Sequence, residues 1–389
     1  MRTQLSLVSA LAALSLLGAL PQSARARLAV EPAMPPLTDA QLALPWEGSL
    51  LAQATLSSAQ QDQVDDLLRQ AEDKVNAKDY AGAISLYQQA TQIDRSNARL
   101  FSGIGYLQIQ QRNYPAAVEA YRAAIALEPN NLPFRYGMAH SLHSAERYDE
   151  AIETYRAILA VAPREANAYL GIGGIQMLQN NHDAALATYQ ELARVAPGNA
   201  RVYEAIGTLY LDQENYAEAL RNLQQAQRID PKRGNVYVGL ANIYRAQDNL
   251  AASLENLRQA SSLMPENAEV QYRVGEMLYQ QGNEEAAFDY LLRAVRLQSD
   301  LVPAHALLGR LLLERQNYIQ AVLSYRRLIE AVPSDPGAHY NLGLALWGQG
   351  LQAQAISNVR TSAYLYQQQD NSEGAERARA LLSFWGEGD

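Results

Sequence analysis

The chain has 389 residues, more than one compact core comfortably organises, and a formal net charge of −9 from 32 Lys+Arg and 41 Asp+Glu. No basic run is long enough to track a phosphate backbone, which argues against nucleic acid as a partner. There is no Cys, so disulfides, thiolate nucleophiles, Cys-ligated zinc and lipid-modified cysteine are excluded.

Residues 1–26 read as a secretory signal. Arg2 gives the positive start, Leu5 to Leu20 is an uncharged apolar run, and Pro21 breaks it. Ala24-Arg25-Ala26 places small residues where a signal peptidase reads them. The run is shorter than the about 20 residues a membrane span needs. The expectation is cleavage after Ala26 and export to the periplasm or cell envelope of a bacterium, with an uncleaved anchor as the alternative. Residues 27–63 hold a proline-punctuated tether (Pro32, Pro35, Pro36, Pro45) and the start of the first helix. Trp46 stands out in the tether. Ser58 with Gln61 resembles a capping box.

From residue 64 to 369 one pattern recurs every 34 residues, nine times, with no insertion. Residues 98–131 show it best. Phe101, Ile104, Gly105 and Gln108 share one helical face, and Ala117, Tyr121, Ala124 and Leu127 share another. Asn113 marks the turn between them and Pro129 stops the second helix. The eighth position of every unit is Gly or Ala, from Ala71 to Gly343, and the twentieth is Ala or Ser, from Ala83 to Ala355. Two helices cross closely only where no bulky side chain intervenes, so these columns mark the hairpin crossing. Asn113, Asn181, Asn215, Asn249, Asn283 and Asn317 precede second helices as caps. Residues 370–389 leave the pattern. Asp370 with Glu373 suggests a capping box, and Ala378, Leu381, Leu382 and Trp385 follow helical spacing, as a terminal capping helix requires.

The period and the columns resemble the tetratricopeptide repeat. That resemblance implies an all-α fold, an α-solenoid of helix-turn-helix repeats forming a right-handed superhelix. It also implies a protein or an extended peptide bound in the groove lined by the first helices. The family's lysine-asparagine carboxylate clamp does not carry over, because its positions hold Leu68, Glu72, Gly103, Pro133 and Gly137. The asparagine ladder of sugar-transferase arms is absent too, its column holding glycine at Gly103, Gly137, Gly171 and Gly239 and asparagine only at Asn341.

Chemistry-bearing motifs are few. Gly103-Ile104-Gly105 and Gly171-Ile172-Gly173-Gly174 lie inside helices without a preceding strand, so neither is a dinucleotide loop. His140 and His143 share a helical face, but a third metal ligand is missing. No catalytic set, metal site or cofactor is expected, and the protein is not expected to be an enzyme. Ten tyrosines on two columns, Tyr121 and Tyr325 among them, read as core residues with a hydroxyl at the rim. His305 and His339, at the fourth position of their units, read as packing residues.

The groove assigned by the resemblance is lined by Tyr106, Tyr136 and Tyr272 among others, with Tyr106, Tyr136, His140, Asn167 and Arg201 as a rim. Asn167, Arg201, Asn242 and Arg245 form a partly cationic middle, extended by Arg273 and Arg310, which suggests acidic or carbonyl-rich ligands. Gly103, Gly137, Gly171 and Gly239 form a bare floor with no packing role, open to an approaching backbone. Two functions follow as expectations. One is a non-catalytic scaffold of the cell envelope, touching the membrane only through envelope complexes. The other is an accessory subunit of a separate enzyme or export complex, such as a polysaccharide- or sugar-handling machine.

Overall fold

The computed structural model describes residues 56–387. The signal, most of the tether and Trp46 lie outside the described residues. The described residues fall into two compact units, one ending at Ile229 and one starting at Asp230.

The first unit is built from α1 (Ser58–Asn76), α2 (Tyr80–Ile93), α3 (Ala98–Gln110), α4 (Tyr114–Leu127), α5 (Leu132–Ser144), α6 (Tyr148–Val161), α7 (Ala166–Leu178), α8 (His182–Val195), α9 (Ala200–Asp212) and α10 (Tyr216–Ile229). The second is built from α11 (Gly234–Ala246), α12 (Leu250–Leu263), α13 (Ala268–Gln280), α14 (Glu284–Leu297), α15 (Val302–Glu314), α16 (Tyr318–Ala331), α17 (Pro336–Gly348), α18 (Gln352–Gln368) and α19 (Ser372–Phe384). Odd-numbered helices up to α17 are the first helices of hairpins, even-numbered ones the second.

The small columns sit at the hairpin crossings. Ala71, Ala83, Ala117, Ala139 and Ala151 are fully buried. A Cβ at Gly207 would lie 2.7 Å from Cγ of Leu223, and one at Gly275 2.9 Å from Cγ of Leu291. Bulk there forces the two helices apart.

Each hairpin turn places one residue in the left-handed region. In seven hairpins that residue is not glycine: Lys78, Arg112, Glu146, Asn180, Glu214, Asp248 and Gln316, with φ between 55° and 60°. Gly282 and Gly350 hold the same position. The turn closes a Schellman motif, Asn113 N–H donating to Gln108 O at 2.9 Å and Arg112 N–H to Ile109 O at 2.8 Å.

Asn181, Asn249, Asn283 and Asn317 cap their helices through the side chain, and Asn215 Oδ1 accepts from Glu218 N–H. Asn113 makes no such bond; Pro115 follows it in the first turn. The first capping box is formed by Ser57 and Gln60, one residue before the expected pair. The last helix is capped by Asn371 rather than Asp370, its side chain accepting from Gly374 N–H. Proline is not what ends the second helices. α2 and α14 stop at the usual place with Arg95 and Ser299 where proline stands elsewhere. α18, with Gln367 there, runs to Gln368.

Trp385 lies just past α19 and stacks on Trp347 of α17, centroids 4.1 Å apart and planes 2° off parallel. With Ala378, Leu381 and Leu382 buried, α19 covers the end of the last hairpin.

Candidate partner-binding groove

In the first unit, Tyr106, His140, Asn167 and Arg201 are half-buried on the first helices. Arg201 Nη1 donates to Asn167 Oδ1 at 2.7 Å, tying α9 to α7. Tyr136 is not at a rim. It is 4% exposed, with its ring edge-on to Tyr155 at 6.1 Å. Burial, then the Glu165 carboxylate, pushes its phenol up. Burial and then His143 push the His140 imidazole down, and burial does the same to His143. Both rings therefore favour the neutral form. His143 packs edge-on to Tyr148 at 5.7 Å.

The glycine floor is corrected at Gly137 and Gly171. Gly103, Gly137, Gly171 and Gly239 are all buried. A Cβ on Gly137 would clash with Cζ of the Tyr121 ring, which reaches across from the preceding hairpin. A Cβ on Gly171 would lie 2.6 Å from Cζ of Tyr155. At these two positions the missing side chain makes room for a tyrosine of the same chain, so Gly137 and Gly171 have a packing role. Tyr121 and Tyr325 are themselves fully covered, with hydroxyls inside rather than at a rim.

In the second unit the cationic reading is corrected as well. Arg273, 8% exposed, donates from Nε to Glu269 Oε1 at 2.9 Å and from Nη1 to Asn242 Oδ1 at 3.2 Å. Arg310 Nε donates to Glu314 Oε1 at 3.1 Å, and its guanidinium lies 5.2 Å from the Tyr279 ring centroid. Tyr279 donates to the same Glu314 oxygen at 3.4 Å, and Tyr272 to Glu276 Oε1 at 2.7 Å. Burial, then the Glu314 carboxylate, pushes the Tyr279 phenol up to about 12. Carboxylates on the same face neutralise these arginines. Arg245 is exposed.

A third arrangement escaped the sequence reading. The fourth residue of most units bonds the carbonyl six residues earlier, in the loop between hairpins. Tyr169 donates to Pro163 O at 3.2 Å, Tyr237 to Pro231 O at 2.9 Å and Gln271 to Pro265 O at 3.1 Å. Arg135 does so to Pro129 O at 2.7 Å. His305 and His339 join this set, with Nε2 at 3.0 Å from Ser299 O and 3.1 Å from Pro333 O. They are loop clips rather than mere packing. The spread of donors (Arg, Tyr, Gln, His) hid the shared role.

Among the described residues no three His, Cys, Asp or Glu side chains converge as metal ligands. No helix among them is long and apolar enough to cross a membrane.

Tetratricopeptide repeat family models match residues 68–131, 136–200, 210–255, 238–301 and 309–350. A TPR repeat-containing protein of a Picosynechococcus species is 34% identical over 73 residues, 19% of this chain and 19% of that protein. A tetratricopeptide repeat protein from Parabacteroides merdae superposes with a TM-score of 0.50 at 18% identity, over 64% of this chain and 99% of that one. PilF from Pseudomonas aeruginosa gives a TM-score of 0.49 at 17% identity, over 56% and 99%. The Parabacteroides likeness is one of fold.

Proposed function

The chain belongs to the tetratricopeptide repeat family, and from that premise we propose that it is a non-catalytic scaffold of the cell envelope, holding a partner protein or extended peptide in its groove. The fold supports a protein-binding role. The observation that carries the reading is the bonding of groove side chains from one hairpin to the next. Asn167 with Arg201, and Asn242 with Arg273, fix polar groups in place before any partner arrives. Such preorganisation lowers the ordering cost of binding. Export rests on the signal-like residues 1–26, and N-terminal sequencing of the mature protein tests it: Arg27 as the first residue supports export, Met1 an anchor.

The partner is tested by cross-linking and pull-down from the envelope fraction, comparing the wild type with Asn167→Ala/Arg201→Ala. The expected result is a partner captured by the wild type and lost from the variant at unchanged helicity. Equal capture by both would remove the groove from the reading. A glycosyltransferase or export ATPase among the captured proteins would favour the accessory-subunit role.

A further inference from the structure

We propose that Glu276 is the subsite for a basic side chain, lysine or arginine, of an extended partner segment in the groove of the second unit. This rests on the groove-binding reading above, and it reverses the charge that the sequence suggests for the ligand.

Glu276 lies on α13, 34 residues after Asn242 of α11 and 34 before Arg310 of α15. The fixed period puts it at the same groove position as those two. It is half-buried. Its carboxylate accepts one hydrogen bond, from the Tyr272 hydroxyl one turn earlier, at 2.7 Å. Among the described residues no lysine, arginine or histidine pairs with it.

The arginines of α13 and α15 already have carboxylates. Arg273 pairs with Glu269 at 2.9 Å and Arg310 with Glu314 at 3.1 Å, each within its own helix. Arg245 on α11 is exposed and keeps its charge in water. On α13 and α15, then, three groove carboxylates face two guanidinium groups, and the one left over is Glu276. Donors are short at Glu314 as well, whose Oε2 is buried and accepts nothing from the protein.

A half-buried carboxylate has lost part of its hydration, and a segment laid over the groove removes more. A neutral segment leaves that loss uncompensated, and an acidic one adds repulsion. A lysine or arginine carries only donors and the opposite charge, so it compensates. Tyr272 holds one carboxylate oxygen beforehand and leaves the other for the incoming cation.

The test pans a phage-displayed library of linear peptides on the full chain and, in parallel, on Glu276→Gln. Glutamine keeps the shape and an acceptor for Tyr272, so the melting temperature should hold and only the charge is lost. Peptides enriched on the wild type should share a lysine or arginine at one position, and those enriched on Glu276→Gln should not. One enriched synthetic peptide is then measured with that residue intact and with an uncharged citrulline or norleucine in its place. The wild type should bind the uncharged form about tenfold more weakly, and Glu276→Gln should bind the two alike. Added NaCl should narrow the difference on the wild type, a comparison that needs no variant. Arg245→Gln should leave the preference in place. Equal binding of the two peptides by the wild type, or a preference that survives in Glu276→Gln, would overturn the subsite and leave groove binding standing. Failure to enrich any peptide would overturn both.

Discussion

The ring of Tyr121 fills the volume that a side chain at Gly137 would need. Tyr121 comes from the second helix of one hairpin and Gly137 from the first helix of the next, so the pair sets how closely two repeats stack. Gly137→Ala should therefore destabilise the protein by about 1–3 kcal/mol, although alanine is the better helix former by about 1 kcal/mol. In a Tyr121→Ala background the same change should become neutral or stabilising. Urea unfolding of the four proteins of this cycle measures the coupling. Independent, additive effects would mean that the ring does not govern the site.

The left-handed turn residue gives a second prediction. Gln316 adopts φ 56° at a position that Gly282 fills in the preceding hairpin. Gln316→Gly should stabilise by up to about 1 kcal/mol. Gly282→Ala should cost about the same, and only through backbone strain, because a Cβ there meets nothing within 4 Å. Thermal unfolding reads both, and the signs should be opposite.

A third concerns the loop clips. Tyr237→Phe removes the bond to Pro231 O at 2.9 Å and little else, at a cost of about 1 kcal/mol. Tyr237→Gln should recover part of it, because Gln271 makes the equivalent bond to Pro265 O. Hydrogen exchange at the Lys232 and Arg233 amides should quicken in Tyr237→Phe while protection within α9 holds.

The His140–His143 pair sets a pH dependence. Both folded-state values are pushed below the ordinary imidazole value of about 6.5. The unfolded chain then binds protons more readily than the folded one. Stability is thus fully present above about pH 6.5 and is lost as the pH falls through the lowered folded values. His140→Gln/His143→Gln should flatten the stability profile on the acid side and leave it unchanged near neutrality. Chemical denaturation across that range checks this.

The repeat architecture was legible because two small-residue columns and a fixed period admit one solution, a stack of close-crossing hairpins. The caps drifted by a residue where two candidates adjoin, Ser57 beside Ser58 and Asp370 beside Asn371; only backbone geometry separates them. Reading the glycine column as open floor failed for a physical reason. Glycine serves equally where a ligand's backbone approaches and where the chain's own ring must be seated. The clue lay in a second spacing: Tyr87, Tyr121 and Tyr155 each precede a column glycine by sixteen residues. The charged groove misled similarly. Glu269 with Arg273, and Arg310 with Glu314, are each four apart on a helix, so the neutralising partners were visible. The bridge from Arg273 to Asn242 crosses to another hairpin and needed the fold.

The stack of Trp347 on Trp385 gives the molecule an optical reporter at one address. The chain has 3 Trp, and with Trp46→Phe this pair is the whole tryptophan signal. In an array whose units touch only their neighbours, the ends loosen before the middle. Tryptophan emission will then follow the unlatching of α19 from α17, while circular dichroism at the helix band follows the remaining hairpins. The gap between the two melting curves measures how far the last turn of the solenoid comes undone by itself.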